Sequence, residues 1–193
     1  PANFEEFLHA NQETAALEVI NTIPLPDYAT DRLFNLFHTF ALIGGMPEIV
    51  KQYTRSKDLK SLQRYFQSII NSYIDDVEKY AISSAQAQYL RFVIKSMFSV
   101  AGSRIKFENF ANSNYKSKDM GESLRTLEKA MILNLAYPTT HHTLPLLPDY
   151  KKSPKLHILD IGLLNHFVGL QLEILSKKEL SGVYQGAMIE LLV

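Results

Sequence analysis

The chain has 193 residues, and its 20 Lys and Arg are balanced by 20 Asp and Glu. That balance excludes a global pull toward nucleic acid or anionic membrane while leaving a local basic face allowed. Hydrophobic residues make up 46 %, enough for a core, and the lack of Cys excludes a disulfide framework and Cys-ligated zinc, in keeping with a reducing cytoplasm.

Residues 1–20 predict a short helix marked by Phe4, Phe7, Leu8, Leu17 and Ile20. Pro24-Leu-Pro-Asp27 reads as a linker, because Pro disfavours helix in the residue before it. From Asp31, the positions Leu33, Phe34, Phe37, Phe40 and Ala41 follow helical spacing. Gly44-Gly45 stops that helix, and Pro47 is suited to open the next. Ser56 is expected to cap a long helix over 57–80 with the stripe Leu59, Leu62, Phe66, Ile69, Ile70, Tyr73, Ile74 and Val77.

A second group of elements starts near Ser83. One helix runs to about Val100 with Leu90, Val93, Ile94, Met97 and Phe98 inward. A very short helix is expected over 107–111, then a turn over 113–116. Ser117 opens a helix carrying Met120, Leu124, Leu127 and Met131. Residues 133–137 have strand character, and 138–154 are rich in Pro and Thr. Residues 155–159 read as the partner strand or as the start of a further unit. Helix, short helix, turn, helix and strand pair outline a winged helix, with a plain helical bundle as the open alternative. Asp160 is placed to cap a short helix over 162–167. Residues 171–185 read as connector, and an apolar helix begins near Ser181 or Gly182. No tandem repeat is visible, and the apolar runs fall short of the ~20 residues that span a bilayer, so no membrane partner is expected.

The chain begins at Pro1 and closes on Gly186-Ala-Met-Ile-Glu-Leu-Leu-Val193, an apolar stretch around Glu190 with no helix stop signal. The expectation is a piece of a longer protein. The stretches Ala2-Asn-Phe-Glu-Glu-Phe-Leu8, Ala41-Leu-Ile-Gly-Gly-Met-Pro-Glu48, Ile74-Asp-Asp-Val-Glu-Lys-Tyr80, Leu124-Arg-Thr-Leu-Glu-Lys-Ala-Met-Ile132, Pro154-Lys-Leu-His-Ile-Leu-Asp-Ile-Gly-Leu-Leu164 and Gly186-Ala-Met-Ile-Glu190 occur here in sequence. In order and spacing they resemble the part after the ATPase core in prokaryotic AAA-type ATPases that carry a C-terminal domain of unknown function 4143.

That resemblance implies a mainly α chain with minor β in three parts: a helical lid over 1–80, a winged-helix module over 81–154, and the truncated start of a restriction-endonuclease-like α/β fold over 155–193. It implies a regulatory or coupling segment whose partner is an ATPase domain preceding Pro1. ATP and Mg²⁺ would belong to the parent protein, and this piece would hold no cofactor and hydrolyse no ATP. In keeping with that, no Gly-x-x-x-x-Gly-Lys-Ser/Thr phosphate loop is present. DNA is a second partner, an oligomer is open, and the location is cytoplasmic. Nucleotide-driven movement of the lid would pass along the 57–80 helix. The alternative is a metal-dependent nuclease whose other acids lie beyond Val193. Of its site only Glu190 is carried over, as catalytic acid and Mg²⁺ ligand.

The remaining candidates have competing readings. Gly44, Gly45 and Pro47 form a helix corner or a coupling loop, and Asp160 caps a helix or acts as an acid after a strand. Asp75-Asp76 point about 100° apart on a helix and suit a solvated face better than a metal. His141-His142 supply two ligands, too few for a defined site, and His157 suits a sheet position. Lys116, Ser117, Lys118, Arg125 and Lys129 are the candidate DNA contacts, with Arg104 and Lys106 upstream and Asn114, Ser117 or Ser123 for base reading. Asp119, Glu122 and Glu128 on the same helix leave protein packing open as its role.

Overall fold

A computed structural model describes residues 1–140, 143–169 and 171. In chain order the helices are α1 (Phe4–Ala10), α2 (Thr14–Val19), α3 (Asp27–Ile43), α4 (Pro47–Ser56), α5 (Gln63–Asp75), α6 (Val77–Tyr80), α7 (Ser84–Ser96) and α8 (Ser117–Lys129), followed by strands β1 (Leu133–Ala136) and β2 (Lys155–Ile158) and helix α9 (Ile161–Phe167). Turns of 3-10 helix occupy Lys60–Leu62, Met97–Val100 and Phe110–Asn112. The described residues are therefore mainly α with minor β. They form two compact units: Pro1–Ile70 with the described residues from Asp160 onward, and Asn71–Leu159. These divisions fall at 70/71 and 159/160, where the sequence suggests 80/81 and 154/155.

In the first unit, α1 starts with a reciprocal capping box. The Asn3 side chain accepts from the Glu6 N–H, and the Glu6 carboxylate accepts from the Asn3 N–H, each at 2.8 Å. The one helix expected over 1–20 is two, because Gln12 turns into the left-handed region at φ 59°. Phe4 and Phe7 pack against Phe40, and Phe7 stacks near Tyr53, which ties α1 to α3 and α4. Pro47 is the first residue of α4, as its fixed φ and missing N–H favour.

The long helix expected over 57–80 is broken. Ser56 ends α4 instead of capping a new helix: its hydroxyl donates back to the Gln52 carbonyl at 3.0 Å. Lys57 is left-handed, and the Asp58 side chain accepts from the Lys60 N–H at 3.0 Å, opening the 3-10 turn before α5. Asp76 separates α5 from α6 and pairs with Lys79.

In the second unit, α7 is capped by Ser83, whose hydroxyl accepts from the Gln86 N–H at 3.2 Å. Leu90, Val93 and Ile94 of α7 and Met120, Leu124 and Leu127 of α8 are fully buried, and the two helices pack together. Burying each such side chain contributes roughly 1.5–3 kcal/mol, which holds α8 in place although no side chain caps its N-terminus. Tyr89 and Phe92 meet Tyr115 edge-on at 5.0 Å each, pinning the turn before α8 onto α7. The helix expected over 107–111 is only a 3-10 turn, because Asn109, Ala111 and Asn112 all have positive φ. β1 and β2 pair antiparallel in the register Leu133↔Ile158 and Leu135↔Leu156, with those four side chains buried. β2 is thus the partner strand of β1. Asn134 pairs with His157 on the other face, so His157 holds the sheet position foreseen for it.

Candidate nucleic-acid interface

Net charge zero conceals a segregation. The stretch 71–159, which forms the second unit, carries twelve Lys and Arg against eight Asp and Glu, and the rest of the chain carries eight against twelve. Three of those twelve cations lie along one side of α8, with one acid among them. Lys118, Glu122, Arg125 and Lys129 are spaced four, three and four residues apart, so they share one helix face, and all four are exposed. Lys116 and Ser117, at the start of α8, are exposed too. Among the described residues, none of Lys116, Lys118, Arg125 and Lys129 has a carboxylate partner within salt-bridge distance.

The acids that dilute this face are partly committed elsewhere. The Glu128 carboxylate accepts from the Leu135 N–H at 2.8 Å, joining α8 to β1. Glu122 accepts from the Gln86 amide at 3.3 Å. Asp149 accepts from the Lys151 N–H at 3.0 Å. Of the three side chains suggested for base reading, Asn114 and Ser117 are exposed, but Ser123 is fully buried and donates to the Asp119 carbonyl at 2.8 Å. Ser123 is therefore packed on the inner face of α8 and cannot meet a ligand.

Beside the start of α8 lies a groove of about 340 Å³, lined by Lys106, Phe107, Ser117, Tyr137, Tyr150, Lys151, Lys152 and neighbours. Gly121 makes room for Phe107, whose ring lies 3.0 Å from where a Cβ would stand, and the Arg125 guanidinium sits 5.9 Å from the centre of that ring. Tyr137 and Tyr150 meet edge-to-face at 4.9 Å. Burial pushes the Tyr137 phenol above its ordinary value, with nearby Arg125 opposing. The loop that carries Tyr150 is held in place: the Asp149 N–H donates to the Pro138 carbonyl at 2.8 Å, and Arg104 donates to the Ser153 carbonyl at 3.0 Å. Arg104 thus braces the loop, while Lys106 lines the groove. Sequence reasoning missed Phe107, Tyr137, Tyr150, Lys151 and Lys152. The available signal was the aromatic-basic run Tyr150-Lys151-Lys152 within an otherwise Pro- and Thr-rich stretch.

The other candidates lie in the first unit or outside the described residues. Gly44 ends α3 at φ 72° and ψ −169°, a conformation essentially restricted to glycine. Its neighbour Gly45 donates its N–H to the Asp160 carboxylate at 2.7 Å. Asp160 also accepts from the Leu163 N–H at 3.1 Å, and so caps α9. A Cβ on Gly162 would overlap the Ile43 carbonyl oxygen, so this glycine permits backbone contact between α9 and the end of α3. Burial raises the Asp160 carboxyl above its ordinary value, while the N–H donors act against that. Gly44, Gly45 and Asp160 therefore meet in one clasp that joins the ends of α3 and α9, and Pro47 opens α4 just after it. Among the described residues, no group of three or more His, Asp and Glu is arranged to hold a metal. Glu190, His141 and His142 lie outside the described residues. No described helix is long and apolar enough to cross a membrane.

Residues 34–173 match the family model described as a domain of unknown function, DUF8612, and the chain belongs to that family. No curated protein and no solved structure matches the chain.

Proposed function

We propose that the second unit is a DNA-contacting module of winged-helix type, with α8 as the element that enters a groove of the duplex. The observation that carries this reading is the exposed face of Lys118, Arg125 and Lys129 on a helix whose opposite face is fully buried. Three cations at helical spacing neutralise phosphates along one side, and the buried face fixes their direction. The order α7, 3-10 turn, α8, then an antiparallel strand pair supports the same reading. The mixed charge on α8 favours phosphate contact over dense base reading.

The motif order supports an ATPase-linked chain of the cytoplasm, in which this module passes nucleotide state to DNA. That part of the proposal rests on the motifs alone, and the break between α4 and α6 removes the single continuous helix first expected as its route. The nuclease alternative hangs on Glu190, outside the described residues.

The test is duplex DNA binding by the whole chain and by a Lys118→Ala, Arg125→Ala, Lys129→Ala triple variant. The expected result is a loss of at least tenfold in affinity at moderate salt with the fold unchanged by circular dichroism. Equal affinity of the two proteins, or no binding by either, contradicts the proposal.

A further inference from the structure

The groove beside α8 has a chemistry that duplex contact does not use. Phosphate contacts need no aromatic rings, yet this groove sets Lys106, Lys151 and Lys152 among the rings of Phe107, Tyr137 and Tyr150, with Glu108 as the one acid in its lining. Tyr150 is 74 % exposed, so its ring is open to a ligand. Its ring meets Tyr137 edge-to-face, and its loop is pinned by the Asp149 N–H on the Pro138 carbonyl and by the Arg104 guanidinium on the Ser153 carbonyl, so the ring is held out at low entropic cost. Bases in a duplex offer only their edges, whereas unpaired bases offer faces, and exposed aromatic rings beside cations are the surface that stacks such faces.

We propose that this groove binds unpaired nucleotides, so that the module recognises a junction between duplex and single-stranded DNA. Tyr150 stacks the first unpaired base, Lys151 and Lys152 hold the flanking phosphates, and Lys106 with Phe107 lines the wall toward α8. The face of Lys118, Arg125 and Lys129 holds the adjoining duplex. This inference rests on the reading of α8 as a duplex contact and adds the form of DNA preferred.

The test uses the whole chain and three fluorescent probes in anisotropy titrations: a blunt duplex, the same duplex with a six-nucleotide thymidine tail, and the tail alone. The tailed duplex is expected to bind at least fivefold tighter than the blunt one, in line with the energy of stacking one base. Tyr150→Ala is expected to abolish that gain while leaving blunt-duplex affinity unchanged, and Tyr150→Trp to keep it. Because Tyr150 is exposed, its truncation leaves the core intact, and circular dichroism checks the fold. Equal binding of tailed and blunt duplex by the wild-type protein overturns this inference and leaves the α8 reading standing, as does a tail gain that survives in Tyr150→Ala. Absence of binding to every probe overturns both.

Discussion

Asp160 is the residue on which the first unit turns. Its carboxylate is buried and accepts from two backbone N–H groups, that of Gly45, 115 positions earlier in the chain, and that of Leu163. Asp160→Ala leaves those donors without a partner, and the expected cost is about 2–4 kcal/mol, the sum of a lost cap and a buried unsatisfied N–H. Urea melts of wild type and variant measure it, and equal midpoints would contradict the clasp. His166 gives a second prediction at this scale. Its ring stacks on Phe66 at 5.1 Å, and among the described residues its Nδ1 has no hydrogen-bond partner. Burial lowers its pKa from the ordinary value. As pH falls through about 6.5 the unfolded chain takes up this proton first. Stability present above that pH is therefore lost as pH falls toward the folded value. Melting temperatures of wild type and His166→Gln should draw apart between pH 7 and pH 5, with the wild type losing more. Parallel curves would sink the assignment.

At the scale of elements, what was legible in the sequence followed local rules. The Gly44 stop, the Pro47 start, the Ser83 region, the opening of α8 at Ser117 and the Asp160 cap each depend on residues within one turn of the chain. The strands were legible from alternation at Leu133 and Leu135 and at Leu156 and Ile158. The helix over 57–80 was misread because its apolar stripe keeps helical spacing across a break that a left-handed Lys57 and an Asp58 side-chain bond impose. The clasp between Gly45 and Asp160 and the aromatic groove were not legible, since both join residues far apart in sequence and the groove loop has no periodicity. Within α8, the polar and buried faces separate as the stripe predicts, except that Ser123 is buried, and Met131, expected on the same stripe, lies past the helix end at φ 55° and is exposed. If the three cations of α8 neutralise phosphates as proposed, the triple alanine variant should also flatten the salt dependence of binding. The slope of log affinity against log salt should shrink by about one for each phosphate that is no longer neutralised. An unchanged slope would mean that these side chains do not touch phosphate.

For the molecule as a whole, the opposite charge of the two stretches matters more than the net value of zero. Residues 71–159 are basic in balance and the remainder acidic, so if the second unit contacts DNA as proposed, binding is expected on that stretch and not on the rest. The measurement that tests the central claim most directly is amide NMR of the isotopically labelled chain titrated with duplex DNA. The account predicts shifts concentrated in residues 116–129 of α8 and its start, with residues 1–70 nearly unmoved. Shifts centred on residues 1–70, or no shifts at a saturating DNA concentration, would contradict it.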